Sequence, residues 1–600
     1  MKKDMRLILL VLLVLTLSAC SSVVKDEAVN TVENRTIQLE TTKDIEKTAA
    51  ALDGTIQQIE SRSEVIIVGN NFVGGGNVYG YQLAGKSSVS ELGDSYSKSY
   101  TSNAGSITVN GSTPMGVVAI MNENHNESYS EIKETGFIDA KSSPLSTFSI
   151  DVDTASYSNV RRMLMGQNVL PSKDAVRIEE MVNYFTYDYK KPEKKDGKFG
   201  VNFEMGDSPW NKNNKILRIA IQGESLLESK KPKSNYVFLI DVSGSMSDAN
   251  KLPLLKESFK KLVNNLNPDD RVSIVVYASS TGVVLEPTFG KDKTKIIDAL
   301  DKLNAGGSTA GGDGIKRAYE LAKENLIKGG NNRVILATDG DFNVGVTSNA
   351  ELEDLITSYK NQNIYLTILG FGMGNYKDDK IKRLSDKGNG NYFYIDNIKE
   401  ADKVFNQGLQ GALYTIAKDV KIQIEFNPTS VKEYRLIGYE DRRLNNEDFK
   451  DDKKDAGDVG SGHQVTVFYE LVPNNGDFSE KKVEDLKYQK TSVEESTDVA
   501  TFKLRYKEPD GDTSKEIVKV VSPDIYKTKN TIDYNFGLSV VEFGMLLRDS
   551  EYKGTLTYSN VLNQAKNNIG KDNYGYKAEF IKLVEKAKVL NEGKKKGFVL

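Results

Sequence analysis

Between residues 233 and 412, five short and nearly unbroken apolar runs alternate with segments of helical spacing, and no other feature constrains the fold as tightly. The runs are 236–240, 272–277, 334–337, 364–369 and 392–395. A strand that is apolar at every position has to be covered on both faces, and a parallel sheet wrapped by its own crossover helices achieves this. The segments 254–266 and 314–326 between the runs carry apolar residues at helical intervals. A doubly wound, mostly parallel α/β sheet is therefore expected over 233–412.

The first run ends in Asp241-Val242-Ser243-Gly244-Ser245. In open α/β sheets, ligands bind at the carboxyl ends of the strands, where the loops diverge. Asp241, Ser243 and Ser245 stand at alternate positions of a tight loop and can converge on one point, with the small Gly244 allowing a sharp turn. Carboxylate and hydroxyl oxygens suit a hard cation such as Mg²⁺. A helix cap would need only one such residue.

This D-x-S-x-S pattern is followed by a Gly-Ser-Thr loop at 307–309 and by Thr338-Asp339-Gly340 after a later run. The set resembles the metal-ion-dependent adhesion site of von Willebrand factor A (VWA) domains, whose sheet is Rossmann-like. The resemblance implies metal contacts from the hydroxyls of Ser243, Ser245 and Thr309, with Asp241 and Asp339 acting largely through water. Ser308 is the alternative hydroxyl if the loop register differs by one. The implied cofactor is Mg²⁺, with Mn²⁺ or Ca²⁺ as alternatives, and the implied partner is a protein that presents an Asp or Glu to the metal.

The resemblance extends over about 137–600. Residues 146–157 (STFSIDVDTASY), with Asn183-Tyr184-Phe185, are similar to the N-terminal flank of bacterial VWA lipoproteins, and the tail resembles that family's C-terminal domain of unknown function. Residues 137–232 are thus expected as a flanking domain and 413–525 as a β-rich domain. In the latter, Val420, Ile422, Ile424 and Phe426 alternate with Lys421, Gln423 and Glu425, the pattern of a half-exposed antiparallel strand. Residues 526–600 read as helix, with Phe580, Leu583, Val584, Ala587 and Leu590 on one face.

The N-terminus has a basic start, an apolar run at 7–17 too short to span a bilayer, and small residues before Cys20. Leu17-Ser18-Ala19-Cys20 resembles a lipobox. Residues 1–19 are expected as a lipoprotein signal peptide and Cys20 as the lipid-attachment site. The chain would then be anchored to the cell membrane or an outer membrane, facing periplasm or exterior. Because Cys20 is the sole cysteine, no intrachain disulfide can form. Residues 20–136, rich in Ser, Gly and Asn, read as a tether with one small β element, signalled by the apolar run at 65–68.

The 80 basic residues are interspersed with 84 acidic ones, which argues against a nucleic-acid partner. Residues 80–87 fit G-x-x-x-x-G-K-S, yet no apolar helix follows as phosphate binding requires, so no nucleotide is expected. Asp151 and Asp153 after a strand raise a phosphatase-like aspartate pair, but capping of the following helix is the simpler expectation. His125 and His463 both read as solvated loop residues, which gives a hydrolytic triad little support. A metal-assisted envelope hydrolase, cued by Asp151 and Asp153 lying beside Asp241, and a scaffold with a vestigial site are the alternative functions.

Overall fold

The computed structural model describes residues 127–595, apart from 151–152, 194–196, 228–230, 308–311, 341–348, 375, 409–410, 412–413 and 475–495, together with four earlier strands. Cys20, His125, Asp151, Ser308, Thr309 and the 65–68 and 80–87 segments lie outside the described residues. The chain divides into two units, 1–121 and 122–600. In the first, β1 (Ser88–Leu92), β2 (Ser95–Ser102), β3 (Gly105–Gly111) and β4 (Val118–Met121) form an antiparallel meander in that order. Among the described residues, no helix is long and apolar enough to cross a membrane.

The second unit opens with β5 (Ile138–Asp139), β6 (Leu145–Ser149), α1 (Ala155–Arg161), α2 (Ile178–Asn183), β7 (Phe199–Asp207) and β8 (Lys215–Gly223). The α/β region follows: β9 (Ser234–Asp241), α3 (Leu252–Asn264), β10 (Arg271–Tyr277), β11 (Thr281–Phe289), α4 (Lys293–Asp301), α5 (Gly312–Glu324) and β12 (Asn331–Thr338). It continues through α6 (Asn349–Lys360), β13 (Ile364–Gly370), α7 (Asp378–Lys387), β14 (Tyr392–Tyr394) and α8 (Ile398–Lys403). The sheet order is β11-β10-β9-β12-β13-β14, parallel except for β11. The first strand is therefore central, and the winding reverses beside it.

Every residue of β9 and of β12 is buried. The unbroken runs nevertheless alternate between two cores, as the strand period of two demands. Tyr236, Phe238, Ile240, Ile335 and Ala337 pack with α3, α4 and α8, whereas Val237, Leu239, Val334 and Leu336 pack with α5, α6 and α7.

After the α/β region come β15 (Thr415–Phe426), β16 (Val431–Ile437), β17 (Gly457–Gly460), β18 (Gln464–Pro473), β19 (Ala500–Lys507), β20 (Ser514–Val521), α9 (Ile532–Arg548), α10 (Tyr558–Asn567) and α11 (Tyr576–Lys595). The strands before and after the α/β region, which the sequence reading assigns to separate units, share two sheets. One runs β5-β16-β18-β8-β7; the other runs β17-β15-β19-β20, with β6 also paired to β15. Their facing sides enclose one core that includes Phe148, Ile219, Ile422, Val467 and Phe502. A further core gathers α1, α2, α9, α10 and α11, where Phe580, Leu583, Val584, Ala587 and Leu590 are all buried.

The outer face of β15 departs from the half-exposed expectation. Lys421 is 1% exposed and Gln423 6% exposed, because β6 and the turn at Asn446–Phe449 cover them. Lys421 Nζ donates to the Asp451 carbonyl, and Gln423 Nε2 donates to Thr147 Oγ1 at 3.0 Å. Buried charge also joins the α/β region to its flanks. Arg161 donates to Asp396, to Glu400 at 2.7 Å and to Glu579 at 2.8 Å; Arg177 meets Glu180 and Asp378.

Candidate metal centre

β9 delivers Asp241 to the carboxyl edge of the sheet at its middle. Ala337 is the register partner of Ile240, so Asp339, two residues beyond Ala337, leaves the adjacent strand next to Asp241. Past Asp241 the chain stays extended at Ser243 and then makes a short 3₁₀ turn, Gly244–Ser247, pinned by the fully buried Met246. Asp241 Oδ1 accepts the Ser243 N–H at 2.9 Å. The hydroxyls of Ser243 and Ser245 lie 3.1 Å apart.

The loop that leads toward Thr309 is fastened to this turn by two backbone bonds: Gly306 N–H to the Val242 carbonyl at 2.8 Å, and Gly244 N–H to the Gly307 carbonyl at 2.9 Å. Gly307 is left-handed, with φ +82°, and a Cβ there would meet Ser279 Oγ at 2.3 Å. Gly244 is needed for a different reason than a sharp turn. Its φ is not in the left-handed region, but a Cβ would press on the Gly307 carbonyl at 3.3 Å.

Asp241 is fully buried, and its Oδ2 has no hydrogen-bond donor in bonding geometry. Burial pushes its carboxyl up to about 6, against the pull of the Ser243 bonds and of the neighbouring Tyr277 hydroxyl, and the nearby Asp339 charge adds to the rise. A buried carboxylate oxygen without a donor is costly. A cation held by the adjacent hydroxyls would relieve it, so the donor set of hard oxygens fits a divalent ion of the Mg²⁺ type.

Lys251 is the residue that sequence reasoning missed. Its ammonium donates to Asp339 Oδ2 at 3.0 Å and to the Ser245 carbonyl at 2.9 Å, with its aliphatic stem laid against Gly372. It therefore bridges the two loops and balances the Asp339 charge. The only sequence signal is its place ten residues after Asp241, at the start of α3.

The structure thus brings Asp241, Ser243, Ser245 and Asp339 together. It takes Asp153 elsewhere: this carboxylate accepts the Tyr392 N–H at 2.9 Å and faces Arg442 and Lys382, with none of these contacts to Asp241 or Asp339. At the start of α1 the N-cap Thr154 makes no side-chain cap bond, and the Ser156 N–H is taken by Glu180 Oε2 at 2.9 Å. The Asp153 carboxyl joins the flank to the sheet's edge strand. His463, expected as solvated, lines a cavity of about 240 Å³ with Glu400, Lys403 and Asp458, and burial holds its imidazole down at about 4. Among the described residues, no hydroxyl bonds to that ring; Ser461 Oγ accepts the Leu226 N–H.

Residues 235–407 match the family described as von Willebrand factor type A domain, 123–218 that described as von Willebrand factor, and 411–590 that described as "Uncharacterized protein YfbK, C-terminal". Fold and family agree that the central region is a VWA domain, a class associated with protein interaction and adhesion whose members commonly bind divalent metals. YfbK of Escherichia coli (strain K12) is 42% identical over 451 residues, 74% of this chain and 78% of its own length. The chain belongs to the YfbK family. The mouse inter-alpha-trypsin inhibitor heavy chain H2 is 29% identical over 185 residues, 29% of this chain and 19% of its own. A solved structure described as von Willebrand factor type A from Catenulispora acidiphila aligns with a TM-score of 0.36 at 15% identity, covering 64% of this chain and 88% of that one.

Proposed function

We propose that the VWA domain takes up a divalent cation, Mg²⁺ by the chemistry of its donors, and uses it to hold an acidic group of a protein partner. The observation that carries this reading is the fully buried Asp241, whose Oδ2 has no hydrogen-bond donor beside two converging serine hydroxyls. Ser243 and Ser245 would hold the ion through their hydroxyls, with Thr309 completing the set. Asp241 and Asp339 would act through water, leaving the charge of the ion little neutralised. When bound, the metal supplies a hard positive centre to which a partner's carboxylate makes a charge-assisted contact.

Each residue has a definable task in this scheme. Asp241 fixes the Ser243 backbone through its Oδ1 and thereby aims the Ser243 hydroxyl. The Gly306 and Gly244 backbone bonds hold the 305–307 loop against the serine turn. Lys251 occupies Asp339 and so sets the charge that an arriving cation has to share. Cys20 is proposed as the lipid anchor, placing the site at an envelope membrane facing periplasm or exterior, and the residues up to 121 as its tether; residues 127–136, expected in that tether, instead belong to the second unit, where Arg162 holds Glu127 at 2.8 Å and Ser128 Oγ donates to Asp379.

The test is calorimetric titration of Mg²⁺ and Mn²⁺ into the full chain and into Asp241→Asn, followed by an Asp-containing peptide added to the metal-loaded protein. Metal binding by the parent chain, peptide binding only after metal, and loss of both in a folded Asp241→Asn support the proposal. A well-folded parent chain that binds no metal overturns it.

A further inference from the structure

Beside the serine turn lies an exposed apolar contact that the metal chemistry does not use. Ser245 is exposed where the site opens to solvent. Lys251 links it to the loop that follows β13, residues 371–374: its ammonium donates to the Ser245 carbonyl, and its stem lies against Gly372. The next residue, Met373, is 48% exposed. It stands three residues past Gly370, the register partner of Thr338, and so on the same carboxyl edge of the sheet as Asp339.

This loop is fixed at both ends. Phe371 is fully buried and donates its N–H to the Thr338 carbonyl at 2.9 Å. The Gly374 N–H donates to Glu127 Oε1 at 3.0 Å, and Arg162 holds that carboxylate from the flanking region. The flank also reaches the methionine itself: Gln167 Nε2 approaches Met373 Sδ at 3.7 Å, and Met165, in the turn that follows α1, is 49% exposed. Residues 371–374 (FGMG) and 163–169 (MLMGQNV) carry no charge. A lone exposed methionine is ordinary. Here one is held on a pinned loop, a single residue from the lysine that bridges Ser245 and Asp339.

Resting on the metal reading above, we propose that the partner segment which gives its carboxylate to the ion also carries a large aliphatic side chain next to that Asp or Glu, and that this side chain seats on Met373. The ion accepts a carboxylate from any protein, so choice among partners has to come from the surface beside it. Methionine is unbranched and polarisable, which lets it mould to Leu, Ile or Met on a partner. A Lys or Arg at that place would give up water without finding a countercharge on either loop.

The test is calorimetry on the full chain in saturating Mg²⁺. Capped Gly-Ser octapeptides with a single Asp are compared with the same peptides carrying Leu, or Lys, at each of the two positions on either side of the Asp. One Leu position should bind about tenfold more tightly than the Asp-only peptide, and Lys there should give no such gain. Met373→Ser should erase the gain and Met373→Leu keep it, with Mg²⁺ affinity and Asp-only affinity unchanged in both. Binding of the Asp peptides with no preference for Leu at any position, an equal gain from Lys, or a gain that survives in Met373→Ser would overturn the Met373 contact and leave the metal reading standing. A folded parent chain that binds no Mg²⁺, or binds none of the peptides, would overturn the metal reading and this contact with it.

Discussion

Glu542 makes a quantitative forecast that needs no ligand. Burial raises its carboxyl from an ordinary value of 4.5 to about 8 in the folded chain. Folding therefore favours the protonated acid: its contribution to stability is complete below pH 4.5 and drains away as the pH climbs toward 8. Each unit of that interval is about 1.4 kcal/mol. Between pH 5 and 7 the parent chain should lose about 3 kcal/mol that a glutamine at the same place would not lose. For a cooperative unit of 150–250 residues this is roughly 5–10 °C in melting temperature. The assay is a pair of thermal melts, parent and Glu542→Gln, at several pH values in amine-free buffer; subtracting one curve from the other removes every other titrating group. Near-coincidence at pH 5 and a glutamine advantage that widens steadily toward pH 8 are expected. A difference that stays flat across the range would show that Glu542 is ionised and compensated in the folded state, and would refute the reasoning.

Three further outcomes are expected. Gly307→Ala places a side chain at φ +82° and against Ser279 Oγ, so it should cost about 1–3 kcal/mol in a denaturant melt and weaken Mg²⁺ binding by displacing the loop from Gly244; an unchanged affinity would disconnect that loop from the site. Lys251→Met removes the ammonium that occupies Asp339, and Mg²⁺ should then bind more tightly by calorimetry; equal or weaker binding would show that Lys251 supports the site rather than competing in it. Arg161→Met leaves Asp396, Glu400 and Glu579 without their shared cation, and should destabilise the chain by about 3–5 kcal/mol in urea, with earlier proteolysis as a second readout.

The α/β sheet and most of its site could be read from the residues because their signals are local. β9 and β12 are buried on both faces and so must be apolar throughout, and Asp241, Ser243 and Ser245 sit within five residues of one another. What escaped has its cause at long range. β6 pairs with β15, and β8 with β18, across the whole α/β region, and antiparallel pairing leaves no mark in either strand that names its partner. Lys421 looks solvent-facing until a turn some 25 residues later folds over it. Nothing adjacent in sequence marks Arg161 or Glu542 for burial, yet both are buried, because the elements that cover them lie tens to hundreds of residues away in the chain.

The VWA domain enters from β8 and leaves into β15, and each of these strands is flanked by hydrogen-bonded neighbours on both sides. A pull on the domain by a captured partner would thus divide between two interior strands of two different sheets rather than peel one edge. To extract either strand, whole ladders of backbone bonds would have to slide past one another together. Those two ladders are where tension on the VWA domain would be carried.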